Sequence, residues 1–304
     1  MNVINIARRI KFMAFSDNNL AHRAEPTMLL LGKMAAESVK SHCQLKSLSD
    51  AEFKVFSQWG DDGIIQWLVH HLSIRNRTFV EFGVENYREA NTRFLMMNDN
   101  WSGLVIDGSQ AHVAAIQNAE YYWQYELTAL CAFIDKDNIN GLIASAGFRG
   151  DIGLLHIDLD GNDYWVWQAI EVVTPELLIL EYNAVFGADR AITTPYDASF
   201  QRTVAHHSNL YFGASLRALH QLSTDKGYAF VGCNSAGNNA YFVRRDRLND
   251  TVREVSFEAG YVPSKFREGR DAQGRLTHIS GGARLNAIRG LPVFNVNSKA
   301  LEAL

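Results

Sequence analysis

Four short apolar runs, each with a carboxylate at or next to its end, constrain this chain more than any other feature. They are Thr78–Phe82 (TFVEF), Gly103–Asp107 (GLVID), Ile152–Asp158 (IGLLHID) and Leu177–Glu181 (LLILE). Each is too short for a buried helix and rich in branched aliphatic residues, so each reads as a strand covered on both faces. Segments with helical spacing lie between and around them: Asp61–Leu72, Glu89–Asn98, Ala111–Ala119, Asn138–Ala146 and Tyr164–Ile170. Tyr125–Phe133 reads as a further strand. Such alternation predicts a largely parallel sheet with helices on both faces. After Leu180 the pattern changes. A helix over Ser215–Lys226 precedes strands at Tyr228–Cys233 and Asn239–Arg244, joined by the turn-rich Asn234–Asn238. That is a hairpin, and it makes one edge strand antiparallel. The expected fold is α/β, a doubly wound seven-stranded sheet, mostly parallel with an antiparallel edge hairpin strand.

The chain has 304 residues, 47% of them hydrophobic, enough for one large core with extensions. It divides into an N-terminal helical arm (1–50), the α/β domain (51–248) and a C-terminal extension or lid (249–304). Within the arm, Met28–Val39 has helical spacing. Met1–Phe15 places Arg8, Arg9 and Lys11 among apolar residues and reads as an amphipathic helix. Such a helix packs on its own domain or on a second copy, giving a homodimer. It lacks the continuous apolar stretch and cleavage site of a signal peptide, and no run is long enough to span a bilayer. With 29 basic and 33 acidic side chains the net charge is -4. That balance gives no electrostatic reason to expect nucleic acid or a membrane surface. Cys43, Cys131 and Cys233 are scattered and odd in number, which suits a reducing, cytoplasmic setting.

In an open parallel sheet, ligands bind beyond the carboxyl ends of the strands, where Glu81, Asp107, Asp158 and Glu181 fall. The first turn, Glu81–Asn86, has one glycine, Gly83. A dinucleotide site needs a glycine-rich turn that brings backbone amides to a pyrophosphate, and Glu81 and Glu85 would repel one. A ligand with an ammonium and a sulfonium, such as S-adenosylmethionine, suits these carboxylates. Asp107 follows Gly83 by 24 residues, the spacing of a ribose-hydroxyl acceptor on the adjacent strand. A turn aspartate in Asp107-Gly108-Ser109 is the alternative.

The segments VEFGVENYREANT, GLVIDGS and HIDLDGNDYWVW resemble those of class I S-adenosylmethionine-dependent methyltransferases. The nearest likeness is to the FkbM-like branch, whose members include O-methyltransferases of small molecules and sugars. The resemblance runs from roughly Phe56 to Arg245 and implies a Rossmann-like fold. Carried over, Glu81, Gly83 and Asn86 would bound the methionine pocket, Asp107 would hold the ribose, Phe133 would lie near the adenine, and Asp158 would close the site. Glu85 and Tyr87 stand where the family usually has glycines.

The densest polar cluster is His156–Asp163. A calcium loop of EF-hand type is excluded, because Asp163 occupies its glycine position. Asp158-x-Asp160 could serve a metal-dependent glycosyltransferase, which leaves the acidic first turn and Asp107 unexplained. In the methyltransferase reading, Asp160, Glu181, His206 and His207 are candidate bases for deprotonating a hydroxyl. His156, inside its strand, reads as a satisfied core histidine. The resemblance extends to small-molecule O-methyltransferases with an aspartate after the fourth strand and an acid plus asparagine after the fifth. It implies Asp158, Glu181 and Asn183 as oxygen ligands of Mg2+. Helix capping by Asp160 or Asn162 is the alternative. Thr193–Thr203 reads as a loop facing the substrate, and Arg267, Arg270 and Arg275 as cations for an anionic substrate or as a solvated loop. The expected activity is methyl transfer to a hydroxyl of a small or sugar-containing molecule, with an amino or guanidino acceptor as the close variant.

Overall fold

The computed structural model describes residues 24–266 and 268–304. The helix expected over Met1–Phe15, and Arg267, lie outside them. Residues 24–40 form helix α1. Helix α2 (Asp61–Leu72) leads into β1 (Thr78–Phe82), followed by α3 (Arg93–Asp99), β2 (Ser102–Asp107), α4 (Gln110–Gln117), α5 (Tyr121–Gln124) and β3 (Leu127–Cys131). The second half runs α6 (Ile139–Ser145), β4 (Gly150–Ile157), α7 (Asp163–Ala169), β5 (Val173–Glu181), β6 (Ile192–Thr193), α8 (Arg202–Ala205), α9 (Leu216–Asp225), β7 (Tyr228–Cys233) and β8 (Asn239–Arg244).

The main sheet has seven strands in the order β3-β2-β1-β4-β5-β8-β7. Every pair from β3 to β5 is parallel. The chain steps outward from β1 to β3, then returns across β1 to begin β4. This reversal opens a crevice at the carboxyl ends of β1 and β4, where such folds bind ligands. The sheet is the expected Rossmann-like arrangement. Its antiparallel strand is β8, which pairs with β5 one place in from the edge, while β7 forms the edge itself. The reason is the crossover through α9. It delivers β7 parallel to β5 but one strand-width away, and the hairpin folds β8 back into the gap.

Side chains alternate across the sheet with the period of two that a strand imposes. Val80, Phe82, Leu155, Ile157, Leu178 and Leu180 face one layer, which contains Ile139 of α6, Trp167 of α7 and Leu219 of α9. Phe79, Leu154, Leu177 and Ile179 face the other, with Ile64 and Leu68 of α2 and Val113 and Ile116 of α4. Helix α3 starts later than the spacing of Glu89–Asn98 predicts. The backbone N–H groups of Asn91 and Thr92 donate to the Glu81 carboxylate at 2.8 and 3.1 Å, which holds this stretch out of helical geometry.

The C-terminal segment adds α10 (Phe257–Gly260), α11 (Gly282–Ala287), β9 (Pro292–Asn295) and β10 (Ala300–Ala303). Strands β10-β9-β6 form a second sheet over a small core of Phe186, Ile192, Tyr211 and Val293. Among the described residues, no helix is long and apolar enough to cross a membrane.

Candidate active site

A cleft of about 670 Å³ opens at the carboxyl ends of β1, β2, β4 and β5. Its first wall is the turn after β1. Gly83, Glu85 and Tyr87 all have positive φ, at 70°, 46° and 60°. Alternate residues in the left-handed region are what a GxGxG turn provides, and here two of the three are not glycine. The strain of a non-glycine residue there is held by specific partners. The Asp107 carboxylate accepts the Glu85 N–H at 2.8 Å. Tyr87 is fully buried, and its hydroxyl meets Thr92 Oγ1 at 2.8 Å. At Gly83 a Cβ would collide with the Asp158 carbonyl oxygen, so β1 and β4 approach as closely as glycine permits.

Asp107 ends β2, is 8% exposed, and lines the cleft. Its other oxygen accepts the Ser109 N–H at 2.8 Å and lies 3.1 Å from His112 Nδ1. It is therefore a turn aspartate and a wall of the cleft at once. Glu81 is bound more completely. Besides Asn91 and Thr92, it meets His156 Nδ1 at 2.9 Å. Burial works against the charge on both partners. Their hydrogen bond and mutual attraction prevail, holding Glu81 below the usual carboxylate range and His156 above the usual imidazole range. The second nitrogen of His156 meets Asn91 at 3.2 Å, so this buried histidine is satisfied on both sides. Phe133, after β3, lines the cleft with half its surface exposed.

The far end holds Asp158 and Asp160 after β4 and Glu181 at the end of β5. One oxygen from each lies within 4.8 Å of the others. Burial and the nearby Asp160 carboxylate push Asp158 up to about 7. Burial raises Glu181 well above its ordinary range, and Asp158 and Asp160 raise it further. Two hydrogen-bonded acids this close cannot both ionise cheaply, so they share a proton near neutral pH. Asp160 is exposed and pairs with Arg202 Nη1 at 2.6 Å. Asp163 accepts the Leu159 and Gly161 N–H groups at 2.7 and 3.0 Å and fixes the loop after β4. Asn162 stands at the N-cap position of α7, but its side chain makes no capping bond.

Ten of the residues singled out from sequence meet in this cleft: Glu81, Gly83, Glu85, Asp107, Phe133, His156, Asp158, Asp160, Asn162 and Glu181. Others lie off its wall. Asn183 is buried and spends its side chain locally. Its amide nitrogen donates to the Leu210 and Phe212 carbonyls, and its oxygen accepts the Val185 N–H, so it cannot join the carboxylates as a metal ligand. Asn86 accepts the Arg88 N–H. His206 Nδ1 contacts Ser208 Oγ at 2.7 Å, which directs the ring into its own loop. His207 is also absent from the wall. Arg270 and Arg275 bond within their own loop, to Gly274 and Asp271.

Sequence reasoning missed Arg202, which pairs with both Asp160 and Glu268. It also missed the stacking of Trp59 on Phe266 at the mouth, with centroids 6.0 Å apart. The Thr193–Thr203 segment was the available signal, since it delivers Phe200 and Arg202 to the cleft. Trp59 and Phe266 lie about 200 residues apart, and no local pattern links them.

No protein-family model matches this chain, and no curated protein matches it. Similar solved structures include an S-adenosylmethionine-dependent methyltransferase from Clostridium acetobutylicum, at 10% identity and TM-score 0.39, covering 60% of this chain and 89% of that one. An O-methyltransferase from Bacillus cereus, in complex with SAH, is 12% identical with TM-score 0.40, covering 69% and 89%. The DszA carbon methyltransferase is 14% identical with TM-score 0.38, covering 61% and 53%.

Proposed function

We propose that the protein is an S-adenosylmethionine-dependent methyltransferase acting on a hydroxyl of a small or sugar-containing molecule. The observation that carries this reading is the turn after β1. It keeps left-handed geometry at Gly83, Glu85 and Tyr87, is tied to Asp107 at the end of β2, and lines the cleft with the Glu85 carboxylate. An acidic turn repels a pyrophosphate and suits a ligand with ammonium and sulfonium groups. The FkbM-like assignment rests on the sequence motifs.

When bound, S-adenosylmethionine supplies an electrophilic methyl group on a sulfonium. The unused acceptor capacity of Asp107 suits ribose hydroxyls, and Phe133 gives an apolar face to the adenine. Glu81 is saturated by protein donors, so it shapes the turn without contacting the cofactor. The Asp158–Glu181 pair takes the proton as the acceptor oxygen bonds to the methyl carbon and the carbon–sulfur bond breaks. A base titrating near 7 is matched to this task. His206, turned into its own loop, is not needed.

Binding titrations test the reading. S-adenosylhomocysteine is expected to bind at micromolar concentration, and Asp107→Ala to weaken it by about 30-fold or more, through loss of both the ribose contact and the turn. Binding of UDP or GDP with manganese in its place would establish the glycosyltransferase alternative. The convergence of Asp158, Asp160 and Glu181 favours a second reading of that corner, with Asp160 replacing Asn183 in a Mg2+ site. Loss of turnover in EDTA, restored by magnesium, would support it. The three free cysteines suit a reducing, cytoplasmic setting, and an acidic cleft suits a small molecule over nucleic acid.

A further inference from the structure

We infer that Arg93 and Glu25 are positioning residues for the cofactor, a buried ion pair that holds the turn after β1 in shape and makes the N-terminal helix part of the binding site. This rests on the methyl-transfer reading and concerns the turn that carries it.

Arg93 opens α3 and is 6% exposed. It is absent from the cleft wall, whereas Val84, Glu85, Ala90 and Asn91 of the preceding loop line it. The guanidinium therefore supports the loop without touching the cleft. Its Nη1 donates to the Tyr87 and Arg88 carbonyls, each at 3.5 Å. Tyr87 is the fully buried residue held at φ 60°. A non-glycine residue persists in that region only when its surroundings over-determine it, and its buried carbonyl needs a donor. Arg93 supplies that donor. Phe56 and Tyr121 flank the guanidinium, with their ring centroids 4.1 and 4.8 Å from its carbon. Tyr121 also packs on the Tyr87 ring, at 5.9 Å, and the Phe56 carbonyl accepts the Ala90 N–H at 3.1 Å. One wedge thus fixes both ends of the stretch from Tyr87 to Ala90.

The other end of the guanidinium reaches α1. Nη2 donates to Glu25 Oε1 at 2.9 Å. Glu25, Leu29, Gly32 and Ala36 share one helix face by their spacing. Leu29 and Ala36 pack with Val55, Phe56 and Phe94, and a Cβ at Gly32 would collide with Val55 and Phe94. Helix α1 is therefore seated closely and brings its carboxylate to a buried cation. A buried guanidinium without its counter-charge is costly and is drawn toward water. The Tyr87 carbonyl then loses its donor, two residues after the Glu85 N–H that is tied to Asp107. The effect of Glu25 passes to the ligand through Arg93, Tyr87, Glu85 and Asp107.

The test compares the native full chain with Glu25→Gln, which removes a charge from a side chain 27% exposed and keeps its shape. Calorimetry measures S-adenosylhomocysteine affinity, and hydrogen exchange without ligand reads the Glu85 and Tyr87 amides. Glu25→Gln is expected to weaken binding by about fivefold or more and to speed exchange at both amides. Arg93→Lys is expected to weaken binding at least as much, because an ammonium cannot reproduce the planar fork. The control is Lys40→Met, which removes another tie of α1 to α3, the ion pair with Asp99 at 3.9 Å. It is expected to leave affinity and loop exchange unchanged. Native affinity in Glu25→Gln, faster exchange confined to α1, or equal weakening by Lys40→Met overturns the inference and leaves the methyl-transfer reading standing. Failure of the native chain to bind S-adenosylhomocysteine overturns both.

Discussion

Burying Asp158 and Glu181 together costs stability. Asp158 titrates at about 7 in the folded chain against 3.8 for the free side chain, so folding takes up a proton. The stability this contributes is complete below about pH 4 and is lost as pH rises to about 7. Asp158→Asn removes the Asp158 share of this dependence and leaves that of the buried Glu181. Relative to the native chain it is expected to stabilise the fold by about 1–3 kcal/mol more at pH 8 than at pH 5, while lowering turnover about 100-fold or more. Thermal melts at both pH values, with a methyl-transfer assay, check both halves. The same titration predicts a rate that rises through a single step near pH 7 and then levels, measured as kcat/KM against pH. Asp107 and the two acids at the strand ends were legible in sequence because their place follows from the strand pattern. Asn183 and His206 were not, because nothing local shows that Val185, Leu210, Phe212 and Ser208 absorb their hydrogen-bonding groups.

Among the elements, the turn after β1 links fold to site. Its path was obscured in sequence because Glu85 and Tyr87 occupy positions that glycine adopts without strain. The compensation comes from Asp107 and Thr92, on other parts of the chain. Glu85→Gly is expected to raise stability by about 0.5–1 kcal/mol, because its N–H bond to Asp107 survives while the left-handed strain is relieved. Gly83→Ala is expected to cost about 3 kcal/mol or more, since the new methyl meets backbone. Urea denaturation of both variants measures the pair. Strands β1, β7 and β8 and helix α2 match their expected boundaries, because strong apolar periodicity and glycine or asparagine punctuation coincide there. Helix α3 was misplaced where Glu81 competes for backbone amides, a tertiary effect that periodicity cannot register.

At the scale of the whole molecule, residues 249–304 build a second small sheet against the segment that follows β5. Strand β9 pairs with β6, Phe294 lies 5.0 Å from the Trp165 ring, and Tyr211 donates to the Pro292 carbonyl. Deleting residues 290–304 is expected to cost about 3 kcal/mol, or about 6–12 °C in melting temperature, and to speed proteolysis between residues 190 and 212. Scanning calorimetry and timed trypsin digestion check it. This segment was read only as an extension or lid, because β6 has two residues and its pairing partner lies more than 100 residues downstream.

The stacked pair at the mouth joins the loop before α2 to the C-terminal segment. Among the described residues, Trp59 is the only tryptophan on the cleft wall, and it is 38% exposed. An indole held against a phenyl ring and half in water has an emission colour set by both surroundings. A molecule entering between β1 and the C-terminal segment changes the polarity around that indole. The protein therefore carries its own fluorophore at the entrance, and ligand arrival and departure can be timed by stopped-flow emission without any attached dye.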